Sequence, residues 1–131
     1  MRRILIGTLA ISLVGLMACN PFGPDQSVML EVDGLNVPSS IGPGSSLTVG
    51  MSVQTGGCLI FDHIAVLRRG SSANFVALGR NTAKGRPNVT CPAFVRSDVH
   101  TYTLDPPFES PFTVTVRSES LPPLSATVTV Q

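Results

Sequence analysis

Two cysteines and two histidines are the side chains of this 131-residue sequence best suited to binding a metal ion. They are Cys58, His63, Cys91 and His100. Zinc accepts two thiolates and two imidazoles in many structural sites. Four residues separate the first pair and eight the second, which are not the spacings of such a site. Cys58 and His63 would also point to opposite faces of a strand, so the sequence predicts no metal site.

Each histidine also lies near an aspartate, which is how a general base and its orienting carboxylate are arranged. Asp62 precedes His63, and Asp98 lies shortly before His100. Neighbouring residues of a regular strand face opposite sides, so Asp62 is not expected to orient His63. The sequence has no Gly-x-Ser-x-Gly elbow, phosphate-binding loop or paired-carboxylate motif. We therefore predict that the chain is not an enzyme, and a small hydrolase is the least favoured class.

Six basic residues lie between His63 and Ser97 in a span that contains no acid. They are Arg68, Arg69, Arg80, Lys84, Arg86 and Arg96. If the turns that carry them share a face, they would bind anions such as lipid headgroups, lipopolysaccharide phosphate, teichoic acid or an acidic envelope protein. The alternative is that these charges only keep loops soluble. The span lacks interleaved aromatic residues and the net charge is +1, so nucleic acid is not an expected partner.

The N-terminus has the layout of an export signal. Arg2 and Arg3 are followed by an uncharged run of fifteen residues, 4–18, which is short for a helix that must cross a bilayer. The run ends in Leu16, Met17, Ala18 and Cys19. This segment resembles the lipobox of bacterial lipoproteins, with an aliphatic residue first, a small residue third and cysteine last. A plain secretory signal is the alternative.

The resemblance implies a covalent lipid rather than a cofactor. The sulfur of Cys19 would receive a diacylglycerol, the chain would be cut after Ala18, and the new amino terminus would receive a further acyl chain such as palmitate. Two or more acyl chains give a stable membrane anchor. The expected location is the cell envelope, and because Asn20 rather than aspartate follows the cysteine, the outer membrane is favoured over the inner in a diderm bacterium.

Once Cys19 carries lipid, Cys58 and Cys91 remain as an even pair in an oxidising compartment. We predict that they form a disulfide bond. Closing a loop of this length stabilises a fold by about 3.5 kcal/mol in the chain-entropy model. The bond would also hold the segment 81–92 beside the glycine pair that precedes Cys58.

The expected domains are a signal peptide at 1–18, a lipidated cysteine with a short tether at 19–26, and one folded domain at 27–131. The domain alternates apolar and polar residues, most regularly at Leu47, Val49, Met51 and Val53. Residues 58–67 are apolar on both faces, as in a central strand, and Asp33 with Gly34 indicates a tight turn.

The pattern predicts an all-β fold of about seven short strands. It resembles an antiparallel, immunoglobulin-like β-sandwich in architecture, although a transthyretin-like sandwich or a small closed barrel would give a similar pattern. The most favoured function is a non-catalytic binding module of the envelope, which contacts its partner through loops or an exposed sheet edge. The alternative is a structural or assembly subunit of a larger envelope complex.

Overall fold

A computed structural model describes residues 27–131 of the chain. The predicted signal peptide at 1–18, the lipidation site Cys19 and the tether lie outside the described residues. Within 27–131, no helix is long and apolar enough to cross a membrane.

The described part of the chain is all-β, as predicted, and contains nine strands. They are β1 (Ser27–Met29), β2 (Val32–Asn36), β3 (Ser40–Ile41), β4 (Leu47–Gly56), β5 (Leu59–Arg69), β6 (Ser72–Asn81), β7 (Val95–Leu104), β8 (Phe112–Arg117) and β9 (Leu124–Val130). The longest irregular connection lies between β6 and β7, close to the loop predicted at 81–92.

The strands form a curled sheet in the order β2-β4-β5-β6-β8-β9-β3, with β7 beside β4 and β1 beside β6. The predicted antiparallel sheet is mixed, because β3 pairs with β9 and β6 pairs with β8 in parallel. The chain leaves β6 and passes through β7, which lies beside β4, before it returns to β6 as β8. Because of this crossover, β8 runs parallel to β6, whereas two strands joined by a hairpin are antiparallel.

The core consists of the buried side chains of strands whose residues alternate between buried and exposed. Leu47, Val49, Met51 and Val53 of β4 are all fully buried, which confirms the predicted inward face of this strand. They pack in one cluster with side chains from other strands, including Leu30, Val32, Phe75, Ala77, Phe112, Val114, Val116 and Val128.

The first two strands show why the predicted turn at Asp33 and Gly34 is wrong. These residues lie inside β2, at a shift in its register against β4. The chain changes partner two residues earlier, where the Leu30 amide donates to the Ala77 carbonyl of β6 and the Glu31 carbonyl accepts from Gln54 of β4. The glycine therefore serves a bulge, and the chain does not reverse there.

The prediction of a central strand at 58–67 is also wrong. β5 pairs with β6 along its length, but it pairs with β4 only at the hairpin contact of Gly56 with Leu59. Leu67 is 57% exposed, because no further strand or layer among the described residues covers that side. β5 is an edge strand over most of its length.

Candidate functional site

The disulfide bond between Cys58 and Cys91 joins the β4–β5 turn to the loop 82–94, and the two Cα atoms lie 5.1 Å apart. Three hydrogen bonds strengthen this junction. The amide and hydroxyl of Thr82 both donate to the Cys58 carbonyl, at 2.9 and 3.1 Å, and the Gly57 amide donates to the Phe94 carbonyl at 3.1 Å. The predicted disulfide and its predicted effect, a loop held beside the glycine pair, are confirmed.

The turn requires glycine at position 56. Gly56 has a φ of +140°, and a Cβ atom built there would lie 2.0 Å from the carbonyl oxygen of Phe94. The backbones of the turn and the loop therefore approach each other more closely than any side chain would permit. This contact fixes the position of the loop independently of the disulfide.

We call this part of the molecule the disulfide end; it comprises residues 56–60, 80–95 and Ser27. Ser27 belongs to it because β1 pairs antiparallel with β6, which places Ser27 opposite Arg80. Val95 belongs to it because it pairs with Gly56. The described chain therefore starts at the disulfide end.

The six predicted basic residues do not converge. Arg80, Lys84 and Arg86 lie at the disulfide end, and Arg96 lies next to it at the start of β7. Arg68 and Arg69 lie at the opposite end of β5, which at about 3.3 Å per residue is roughly 25–30 Å away. The separation follows from β5 being one continuous strand between the two groups.

Two of these arginines have acidic neighbours. Nε of Arg80 lies 3.7 Å from Oδ1 of Asp62, and Nε of Arg96 lies 2.9 Å from Oδ2 of Asp98. Both pairs are exposed, where an ion pair contributes little to stability. Both pairs lie outside the loop 82–94, whose own sequence contains Lys84 and Arg86 and no acidic residue.

Arg68 has a structural role instead. Its guanidinium carbon lies 4.5 Å from the centre of the Phe108 ring, and its amino groups donate to the carbonyls of Asp105 and Pro107. The arginine thus holds the β7–β8 connection against the β5–β6 turn. An anion would compete with these contacts.

The disulfide end also exposes apolar side chains. Of the nine large apolar residues that are exposed in the described part of the chain, five lie there. They are Leu59 (37%), Ile60 (41%), Val89 (43%), Phe94 (53%) and Val95 (74%). Positive charge and exposed apolar surface therefore occur together at one end of the fold.

Among residues 27–131, the two cysteines and two histidines are not brought together as one ligand set. Cys58 and Cys91 are bonded to each other, and within residues 27–131 no three His, Cys, Asp or Glu side chains are grouped so as to hold a metal ion. His63 lies with Nδ1 2.8 Å from Oδ2 of Asp62, contrary to the expectation that they would face opposite sides. The reason is a bulge between Phe61 and His63, which breaks the alternation of β5.

A shallow concavity on the outer face of β5, β6 and β8 brings together residues that the sequence did not link. Its lining includes Arg69 and Arg117, together with Ser72 and Asn74. Arg117 reaches this face because it pairs with Val76 across the parallel β6–β8 contact. No sequence signal predicts that pairing, so the sequence analysis missed Arg117.

The second edge of β7 is open. This strand pairs with β4 over ten residues, from Val95 to Leu104, and within residues 27–131 no strand pairs with its other edge. Val99 in its middle is 73% exposed. An open edge of this length presents unpaired backbone donors and acceptors to an extended chain.

The carboxylates of Glu31 and Asp33 accept hydrogen bonds from residues distant in the sequence. Glu31 accepts hydrogen bonds from the Ser120 hydroxyl and from the amides of Ser120 and Leu121, and these bonds hold its pKa below the usual value. Asp33 accepts from the side chains of Gln54 and Ser97, which lowers its pKa in the same way. Their lowered pKa values follow from this structural role.

Comparison with protein families, with curated proteins and with solved structures finds no match for this chain.

Proposed function

We propose that this chain is a lipid-anchored protein of the bacterial cell envelope and that it acts as a non-catalytic binding module. The observation that carries the proposal is the Cys58–Cys91 disulfide. Structural disulfides form in oxidising compartments and are rare in the cytosol, so the bond supports export. The lipobox-like segment ending at Cys19 supplies the anchor, and the disulfide supports export independently of that segment.

The binding surface in this proposal is the open edge of β7. An extended segment of another envelope protein would add to the sheet there as a further strand, with backbone hydrogen bonds for affinity and side-chain contacts for selectivity. Val99 offers an apolar contact in the middle of that edge. The edge of β5 is less suitable because the bulge at Phe61 interrupts it.

The proposed scaffold is an immunoglobulin-like sandwich. β2 and β7 both pair with β4, whereas β5, β8 and β1 all pair with β6. The hairpin contact of Gly56 with Leu59 is the only pairing between these two groups among the described strands. Such a division supports two facing layers with one core between them.

The mass of the native product tests the anchor. The expected product begins at Cys19 and carries a diacylglycerol and a further acyl chain. Intact residues 1–18, or an unmodified thiol at position 19, would contradict the proposal. Cys19→Ser is the matched variant and is expected to remain unprocessed.

A charge placed on the edge tests the binding surface. Val99→Lys is expected to abolish photo-crosslinking in intact cells between a probe at Thr101 and a partner protein, because a lysine on an edge strand opposes further pairing. Thr113→Lys is the matched control, since at this residue β8 pairs with β6 on one side and with β9 on the other. Equal crosslinking in both variants would exclude the β7 edge.

The same experiment separates binding from assembly. An assembly subunit is expected to crosslink to one partner in fixed stoichiometry. Deleting the chain should then cause the loss of that partner and of the envelope complex. A partner that binds and dissociates while its own complex remains intact supports the binding module.

A further inference from the structure

We propose that the disulfide end lies against the membrane, with the loop 82–94 in contact with the headgroups of anionic phospholipids. This inference rests on the proposed lipid anchor and adds an orientation to it. Three features of the structure support it.

The first feature is the point where the chain enters the domain. Ser27 pairs with Arg80, so the segment that leads back to Cys19 starts at the disulfide end. Residues 20–26 span at most about 25 Å when fully extended. An anchor at Cys19 therefore keeps this end within a short distance of the bilayer, whatever the exact path of the tether.

The second feature is the chemistry of the surface. The loop contains Lys84 and Arg86 and no acidic residue. It ends in Phe94, whose side chain is 53% exposed, and Val89 in its middle is 43% exposed. Basic residues attract an anionic leaflet, and apolar side chains gain by entering the boundary between headgroups and acyl chains. The combination fits a phospholipid surface better than a free anion, which would not require apolar side chains.

The third feature is the rigidity of the loop. The disulfide bond, the close approach of Gly56 to Phe94 and the hydrogen bonds to Cys58 fix the loop on the sheet before it meets any surface. A preformed surface loses little conformational entropy when it binds. At the opposite end, Arg68 is occupied with the β7–β8 connection.

Tryptophan fluorescence tests this orientation directly, because the chain contains no tryptophan of its own. Phe94→Trp places one reporter at the disulfide end. Leu67→Trp places a matched reporter at the opposite end, at a residue of similar exposure, 57% against 53%. The full-length precursor is expressed and processed, and each purified product is reconstituted into phosphatidylglycerol vesicles whose acyl chains carry bromine.

We expect bromine to quench Phe94→Trp and to shift its emission to the blue, and to leave Leu67→Trp unchanged. Adding Arg86→Glu to Phe94→Trp is expected to weaken contact with the anionic surface about fivefold or more, with a matching fall in quenching. Arg69→Glu at the opposite end is the charge control and should leave the quenching unchanged.

Equal quenching of the two reporters, or none in either, would overturn the inference. The inference would also be overturned if vesicles did not quench the tryptophan at position 94 and an added envelope protein shielded it from solvent. Mass measurement of the same samples reports the anchor separately. If the product carries lipid and the reporters fail, the orientation is wrong and the anchor stands. If the product lacks lipid, the two reporters still show which end of residues 27–131 approaches the vesicle.

Discussion

The imidazole ring of His100 stacks on the phenyl ring of Phe61, with ring centroids 3.7 Å apart and planes inclined by 20°. His100 belongs to β7 and Phe61 to β5, two strands that share no backbone pairing in the described part of the chain. The two edges that border the open side of the sheet are thus connected through side chains.

A double-mutant cycle measures this contact. Phe61→Leu, His100→Leu and the double variant are expected to show a coupling of about 0.5–1.5 kcal/mol in the free energy of unfolding, as stacked rings do beyond their buried area. Denaturant titration gives the three values. A coupling below about 0.3 kcal/mol would mean that the rings contribute only through burial.

Gly56→Ala is expected to lower the free energy of unfolding by about 3 kcal/mol or more, because the new Cβ would collide with the backbone of Phe94. Gly44→Ala is the matched control. Gly44 also has a positive φ, +77°, but nothing lies within 4 Å of its Cβ position, so only the conformational cost of about 1–2 kcal/mol applies. Similar losses in both variants would show that the close approach at Gly56 is unimportant.

Replacing both Cys58 and Cys91 by alanine is expected to lower the free energy of unfolding by about 3.5 kcal/mol, since the unfolded chain regains the entropy of an open loop of 33 residues. Hydrogen exchange at the amides of Gly57 and Thr82 should become faster at the same time, because these groups depend on the junction. A loss below about 1 kcal/mol with unchanged exchange would show that the remaining contacts hold the loop alone.

The stability of the domain is expected to fall in acid through Glu31. The Ser120 hydroxyl, followed by the amides of Leu121 and Ser120, lowers the pKa of this carboxyl group in the folded state. Its contribution is therefore fully present above the pKa of the unfolded chain, near 4.5, and is lost as the pH falls through the lower folded value.

Melting temperatures measured between pH 7 and pH 2.5 check this expectation. Glu31→Gln should melt lower than the unchanged protein at pH 7 and lose less below about pH 4.5. Glu119→Gln removes an exposed glutamate from the β8–β9 turn that binds Glu31, and as the matched control it should melt at pH 7 close to the unchanged protein. Parallel curves for the unchanged protein and Glu31→Gln would contradict the assignment.

Local patterns predicted the parts of the fold that depend on local physics. The alternation in β4 predicted which of its side chains are buried, because the two faces of a strand follow directly from its period. The cysteine count, taken with the lipobox-like segment, predicted the Cys58–Cys91 pair.

The parts that failed depend on neighbours distant in the sequence. The apolar run in β5 indicated a central strand, yet whether a strand is central depends on its partners and not on its own residues. Asp33 with Gly34 resembles a turn, and only the pairing of β2 with β4 makes it a bulge. The contact of His63 with Asp62 depends on another bulge that the sequence does not mark.

The pairing of Ser40 and Ile41 with Thr129 and Val130 joins a strand near the start of the domain to the last one. During synthesis β3 is made long before β9. The β3–β9 pairing therefore cannot form until nearly all of residues 27–131 are available. Folding slows when partners lie so far apart in sequence. This domain is therefore expected to fold more slowly than one built mainly from strands that are neighbours in sequence.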